Sequence, residues 1–173
     1  MKSKKIIIGS RGSKLALIYA KRACSKILAI SSDFEIEEVE IKKIKTYGDI
    51  NQKDRLSDIG GKGLFSKQIE NELLEDKIDI AVHALKDMPS EETDGLLTNC
   101  FLERNDPREV LISKNNKLFN ELSSNSVVGT SSFRREFQLK KIRNDLTYRL
   151  IRGNVDTRIK KLDEGLYDAI ILS

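Results

Sequence analysis

Three stretches of the chain set an arginine in or beside a turn rich in glycine, serine and threonine. They are Gly9-Ser10-Arg11-Gly12-Ser13, Gly129-Thr130-Ser131-Ser132-Phe133-Arg134-Arg135 and Arg152-Gly153-Asn154-Val155-Asp156-Thr157-Arg158. Each follows a strand-like apolar run and precedes a helix-like pattern. The unpaired N–H groups of a helix's first turn attract anions, and a guanidinium offers a planar fork that matches a carboxylate or phosphate. One such turn reads most simply as a serine cap. Three of them, each with an arginine, point to a small ligand carrying several anionic groups. Nucleotide motifs do not fit: Gly9 and Gly12 do not make GxGxxG, and Gly61-Lys62 is followed by Gly63, not by Ser or Thr. A multi-carboxylate ligand is therefore preferred.

A fourth element, Ala81-Val82-His83-Ala84-Leu85-Lys86-Asp87-Met88-Pro89, also follows a strand-like run. Asp87 would be a lone carboxylate facing a basic cleft. A carboxylate that stays charged is a poor general acid, but it suits a cation that forms during a reaction. The plainer alternative makes Lys86 and Asp87 an ordinary surface pair. His83 reads as a hydrogen-bonded structural histidine more readily than as a base. No Ser/His/Asp or Cys/His set can be assembled. Cys24 and Cys100 form no CxxC or Cys/His cluster, so neither a disulfide framework nor a metal site is expected.

The elements that must position these residues alternate between strand and helix. Lys4–Gly9 reads as a buried strand. Over Ser13–Ile30, the spacing of Leu15, Ile18, Tyr19, Arg22, Ala23, Ile27 and Ile30 predicts a helix. Phe34–Ile44 reads as a strand with a bulge at Glu37-Glu38, Thr46–Gly63 as a long mobile loop, Leu64–Asp76 as a helix and Ile78–Val82 as a strand. Pro89 stops any helix begun at Ala84. Leu96–Leu102 is expected as a strand leading to the Asn105-Asp106-Pro107 turn, which divides a first domain (1–104) from a second (105–173). The second domain is expected to hold strands at Glu109–Ile112, Val127–Gly129, Tyr148–Ile151 and Ala169–Leu172. Its helices are expected at Ser131–Arg143 and Val155–Glu164, the latter capped by Gly165. This order implies an α/β fold with a mostly parallel core. The chain stops at Ser173, directly after a buried-type strand where domains seldom end, so truncation is expected.

With 31 Lys+Arg against 27 Asp+Glu in 173 residues the net charge is +4, spread in mixed sign without a basic block, so no nucleic-acid partner is expected. No apolar run is long enough for a membrane span or a signal segment, which leaves a cytoplasmic location as the default.

The motifs Gly9-Ser10-Arg11-x-Ser13-x-Leu15-Ala16, Gly60-Gly61-Lys62-Gly63-Leu64-Phe65, His83-x-x-Lys86-Asp87-x-Pro89, Gly129-Thr130-Ser131-Ser132-x-Arg134-Arg135 and Arg152-Gly153-Asn154-x-x-Thr157-Arg158 stand in this order, followed by Tyr167-Asp168-Ala169-Ile170-Ile171-Leu172. In this the chain resembles the porphobilinogen deaminase (hydroxymethylbilane synthase) family. The resemblance implies a monomeric transferase of tetrapyrrole biosynthesis. It joins four porphobilinogen molecules head to tail, with loss of ammonia, and primes the product on a dipyrromethane cofactor held by a cysteine thioether. It implies that Asp87 contacts pyrrole N–H groups and stabilises the cation formed as ammonia leaves. It assigns Lys86, Thr130, Ser132, Arg134, Arg135, Arg152 and Arg158 to the cofactor's acetates and propionates, and Arg11, Ser13, Arg152 and Arg158 to the substrate's. Ile50–Gly61 corresponds to the family's lid. Many relatives carry Lys where Asp58 stands and Ser where Ala84 stands. The implied fold is two type II periplasmic-binding-protein-like domains, both incomplete here, with a third C-terminal domain absent. The cofactor cysteine belongs to that third domain, and neither Cys24 nor Cys100 matches it, so these residues alone are expected to be inactive. A binding-only module of the same type II fold, sensing a polycarboxylate, is the alternative.

Overall fold

The run Ile6-Ile7-Ile8 seeds the first sheet as the middle of β1 (Lys4–Arg11), with Ile8 fully buried. β1 pairs in parallel with β2 (Ile36–Ile44) on one side and with the short β3 (Ile80–Ala81) on the other, giving the order β2-β1-β3. Lys4 lies opposite Ile36 but Lys5 opposite Glu38, so Glu37 is the extra residue of the expected bulge. These strands belong to a computed structural model that describes residues 4–50 and 63–173. The chain divides into two compact units, Met1–Leu102 and Glu103–Ser173.

In the first unit, α1 (Lys14–Leu28) starts at Ser13, whose hydroxyl accepts the Ala16 N–H at 3.3 Å. Ala20, Ala23, Cys24 and Ile27 face Ile6, Ile8, Val39 and Ile41 of the sheet. The expected apolar stripe is corrected here. Ile18 is 60% exposed because it falls on the opposite side of the helix from Ala20, Ala23 and Ile27, and Ile30 lies beyond the last turn. On the other face of the sheet, α3 (Lys67–Leu74) buries Ile69 against Ile44 and Ile78. This helix is shorter than expected, because residues 63–66 form turns that begin at a positive-φ Gly63.

Three further expectations change in this unit. The strand expected over Ile78–Val82 shrinks to two residues. Asp79 turns its own side chain back to accept the Ile7 N–H at 2.7 Å, and Ile78 is core. Leu96–Leu102 forms no strand; no neighbour offers its backbone a ladder, and Leu97 is 81% exposed. The loop expected at Thr46–Gly63 opens instead with one helical turn, α2 (Tyr47–Ile50). The lid expectation for Ile50–Gly61, and with it Asp58, falls on residues 51–62, outside the described residues.

The second unit holds β4 (Val110–Ser113), β5 (Val127–Gly129), α4 (Phe133–Ile142), β6 (Thr147–Arg149), α5 (Val155–Asp163) and β7 (Ala169–Leu172). Sheet order is β4-β7-β5-β6, with β4 antiparallel and the rest parallel. Leu122, Val128, Leu146, Ala169 and Ile171 form one core, and Ile151, Leu162 and Ile170 another. Gly165, at φ +84°, ends α5 as expected, its N–H donating to the Leu162 carbonyl at 3.0 Å. The mixed α/β architecture with mainly parallel pairing is thus present in both sheets. Among the described residues, no helix is long and apolar enough to cross a membrane.

Candidate functional site

Parallel pairing puts the carboxyl ends of β1, β2 and β3 at one edge of the first sheet, and the segments that follow them carry the polar side chains. Arg11 closes β1. Thr46 and Asp49 follow β2. His83, Lys86 and Asp87 follow β3, Asp87 at the end of a 3-10 turn, Leu85–Asp87. Arg11 donates to Asp49 from Nε (3.2 Å) and Nη2 (2.5 Å), and its guanidinium lies 4.0 Å from the centre of the Phe65 ring. Its Nη1 stands 3.9 Å from Oδ2 of Asp87. Burial works against the Asp49 charge, but hydrogen bonds from Arg11 and Thr46 outweigh it and hold this carboxyl below the usual carboxylate range. Burial pushes the His83 imidazole below its ordinary value, and the Arg11 charge adds to this against Glu70 and Asp87, so His83 is neutral at pH 7. Its Nε2 is buried without a hydrogen-bond partner among the described residues. Lys86 is exposed. Ser13 spends its hydroxyl oxygen on capping α1, which leaves the O–H proton to donate elsewhere.

In the second unit two turns leave the carboxyl ends of the parallel pair β5 and β6. Thr130, 1% exposed, accepts the Ser132 N–H on its hydroxyl at 3.2 Å, and Ser132 caps α4 through the Arg135 N–H. Arg152 is 7% exposed. Arg158 donates Nε to the Gly153 carbonyl at 2.8 Å. Burial, then the neighbouring charges of Arg152 and Arg135, push the Arg158 guanidinium below its usual range, so these three cations share one locality. Gly153 has φ +112°, and a Cβ there would meet Thr157 at 2.8 Å, so this turn is built for glycine. Arg135 is already engaged by Glu109 at 2.7 Å and by the Ile171 carbonyl at 3.3 Å. Arg134 stands exposed on the first turn of α4, and no ion pair among the described residues holds it. Close like charges cost energy until anions arrive between them. The donor set of Arg152, Arg158, Thr130 and the α4 start therefore fits a ligand with several carboxylates, and dipyrromethane is of that chemistry.

Residues 6–173 match a family described as porphobilinogen deaminase, dipyrromethane cofactor binding domain. The chain belongs to the porphobilinogen deaminase family. The porphobilinogen deaminase of Bacillus cereus (strain B4264) is 48% identical over 170 residues, covering 98% of this chain and 54% of the relative. That of Bacillus subtilis (strain 168) is 49% identical over 168 residues, covering 97% of this chain and 52% of the relative. The chain thus spans about half the length of the curated relatives it matches. A solved structure titled a putative L-cystine ABC transporter from Listeria monocytogenes aligns over 100% of this chain and 70% of its own, with TM-score 0.38 and 16% identity.

For a porphobilinogen deaminase domain, the motifs alone miss Asp49, Thr46 and Phe65 as partners of Arg11. One signal was there to find: Thr46-x-x-Asp49 has the spacing of a capping box. The Asp49 carboxylate does accept the Thr46 N–H (3.3 Å) and the Thr46 hydroxyl (2.7 Å). Glu109, the partner of Arg135, carries no such signal.

Proposed function

We propose that the protein carrying this chain polymerises four porphobilinogen molecules into hydroxymethylbilane with release of ammonia, and that its two units are type II periplasmic-binding-protein-like domains. The observation that carries the reading is the set of partly to fully buried arginines that follow β5 and β6, Arg152 at 7% exposure with Arg135 and Arg158 half-buried, in a family described by its dipyrromethane cofactor. In the second unit Arg152, Arg158, Thr130, Ser132, Arg134 and Arg135 would hold dipyrromethane; Lys86 is the first unit's cation proposed for one of its carboxylates. When bound, that group supplies the primer from which the pyrrole chain grows. The carboxylates of porphobilinogen would be taken in the first unit by Arg11 and Ser13, and in the second unit by Arg152 and Arg158. Loss of ammonia breaks a C–N bond and leaves a cation conjugated with the pyrrole nitrogen. Asp87 stabilises that cation electrostatically and accepts the pyrrole N–H.

The test is direct. The full-length gene product is incubated with porphobilinogen, and ammonia and hydroxymethylbilane are measured. The 173-residue chain is titrated with porphobilinogen, amino acids, sugars and oligonucleotides. Turnover, with selective binding of the pyrrole dicarboxylate, supports the reading. Binding of a polycarboxylate without turnover by the full-length product would replace it with a sensing module.

A further inference from the structure

Arg11 is held on one edge by Asp49 and on one face by Phe65, pairings that the motifs do not show. Asp49 takes one edge of the guanidinium, accepting from Nε at 3.2 Å and from Nη2 at 2.5 Å. Both side chains are largely sequestered, at 17% and 16% exposure, so water screens the pair weakly. Asp49 is itself fixed by the fully buried Thr46, which donates its N–H and its hydroxyl to Oδ2. Phe65 covers one face of the guanidinium, with 4.0 Å from the Arg11 Cζ to the ring centre. Gly48 makes room for that ring, since a Cβ would meet Phe65 Cε1 at 2.3 Å, and its N–H ties α2 to the Leu64 carbonyl at 2.9 Å. One edge remains. Its Nη1 sits 3.9 Å from Asp87, too long for a hydrogen bond yet close enough for the two charges to act on one another.

We infer that Asp49 is a positioning residue: by occupying one edge of Arg11 it holds the other edge beside Asp87, where it can receive a ligand carboxylate. This rests on the functional reading above. A guanidinium released from Asp49 can swing and pair in bidentate fashion with Asp87, its other carboxylate neighbour. Such a pair would cancel the charge Asp87 needs when a cation forms, and it would use up the donors meant for the ligand's acid group. Held as it is, Arg11 leaves Asp87 open and orients a bound carboxylate next to it. The clamp therefore matters for the reaction step more than for affinity.

The test uses D49N, which keeps shape and loses charge, and T46V, which loosens Asp49 without touching its charge. Hydrogen exchange at the Arg11 Nε–H is read by NMR in the 173-residue chain. kcat and KM for porphobilinogen are read in the full-length gene product. The expected result for D49N is exchange at least about tenfold faster and kcat lower by about tenfold or more, the span of a lost charged hydrogen bond. KM should move by less than about threefold. T46V should shift both readouts the same way by less, and it carries the test if D49N does not fold. Exchange and kcat at wild-type values in the folded variants, or a change in KM alone, would overturn the inference. Faster exchange in D49N, in a protein that neither binds nor consumes porphobilinogen, would leave the clamp supported and sink the functional reading instead.

Discussion

Nη1 of Arg11 stands 3.9 Å from Oδ2 of Asp87, so the acid after β3 has a cation beside it but is not locked to it. An Asp in that position can shift its attention to a new positive charge without first breaking a tight pair. Asp87→Asn keeps the shape and most hydrogen bonding while removing the charge. In the full-length gene product, turnover should fall about a hundredfold, the size expected for an electrostatic stabiliser worth about 3 kcal/mol. KM should change little. Near-normal turnover of the Asn variant would remove Asp87 from the electrostatic role.

The Arg158 guanidinium is depressed by burial and by the charges of Arg152 and Arg135. Replacing Arg158 with the uncharged Met should relieve repulsion in the ligand-free chain, at the loss of one hydrogen bond to Gly153. We expect the melting temperature to hold or rise, while affinity for a pyrrole polycarboxylate drops about tenfold to a hundredfold. A variant that melts lower and binds equally well would mean that Arg158 serves the fold and not the ligand.

The legible parts of this molecule are those where local chemistry decides structure. The bulge was readable because the in–out alternation slips at Glu37-Glu38, and the ladder registers that same slip. The ends at Ser13 and Gly165 are readable because caps are local, whereas the adjacent Ser131 and Ser132 put the expected start of α4 at Ser131 and the fold caps it with Ser132. The Ile18 error shows the limit. A stripe drawn through large aliphatics overlooked that alanines at positions 20 and 23 let α1 approach Ile8 closely. Leu96–Leu102 has strand composition, yet composition cannot supply a pairing partner. Within the candidate site, strand-end arginines could be named from sequence, but the pairings Arg11–Asp49 and Arg135–Glu109 span 38 and 26 residues and exist only once the sheets form.

His83 sets a pH limit on the first unit. Its folded pKa lies below the ordinary 6.5, because burial disfavours the imidazolium and Arg11 adds to that, only partly offset by Glu70 and Asp87. Protonation therefore favours the unfolded chain. The stability that neutral His83 permits is complete above about pH 6.5 and declines as pH falls toward the folded value, by at most about 1.4 kcal/mol per pH unit. Asp49, also depressed, adds its loss in a separate window below its ordinary 3.8. Unfolding free energies of the wild type and of His83→Gln, measured between pH 7.5 and 5, should differ in slope, the variant being flatter. Equal slopes would show that His83 does not titrate on unfolding.

Gly48 and Gly12 make a matched comparison. A Cβ at Gly48 would lie 2.3 Å from the Phe65 ring, whereas one at Gly12 meets nothing within 4 Å. Gly48→Ala should therefore displace Phe65 from the face of Arg11 and cost about 1–3 kcal/mol, the range for overpacking. Gly12→Ala should be close to neutral. The check is chemical denaturation of both variants, with the Arg11 Nε–H signal as a local reporter. Equal stabilities would mean that the ring yields without strain and that its contact with Arg11 is incidental.

The final prediction concerns these 173 residues by themselves: they should not form hydroxymethylbilane. Under the proposed function chain growth needs a primer anchored through a thioether, so a cysteine must stand where the strand-end turns can hold the primer's carboxylates. Cys24 cannot reach. It lies eleven residues along from Ser13 on α1, about 16 Å from the helix start at 1.5 Å per residue, and it packs against the core of Ile8, Ala20 and Ala23. Cys100 was expected on an apolar strand; it is instead exposed in irregular chain. An exposed thiol in irregular chain is not fixed by the fold, so it has no means of holding a primer in register with Asp87. The purified chain is incubated with porphobilinogen, its intact mass is recorded, and pyrrole colour is developed with an aldehyde reagent. Unchanged mass and no product are expected, although reversible binding of the pyrrole dicarboxylate should persist. A stable gain of two pyrrole units accompanied by turnover would show that one of these cysteines, or another nucleophile, does anchor the primer, and the assignment of both sulfurs as bystanders would fall.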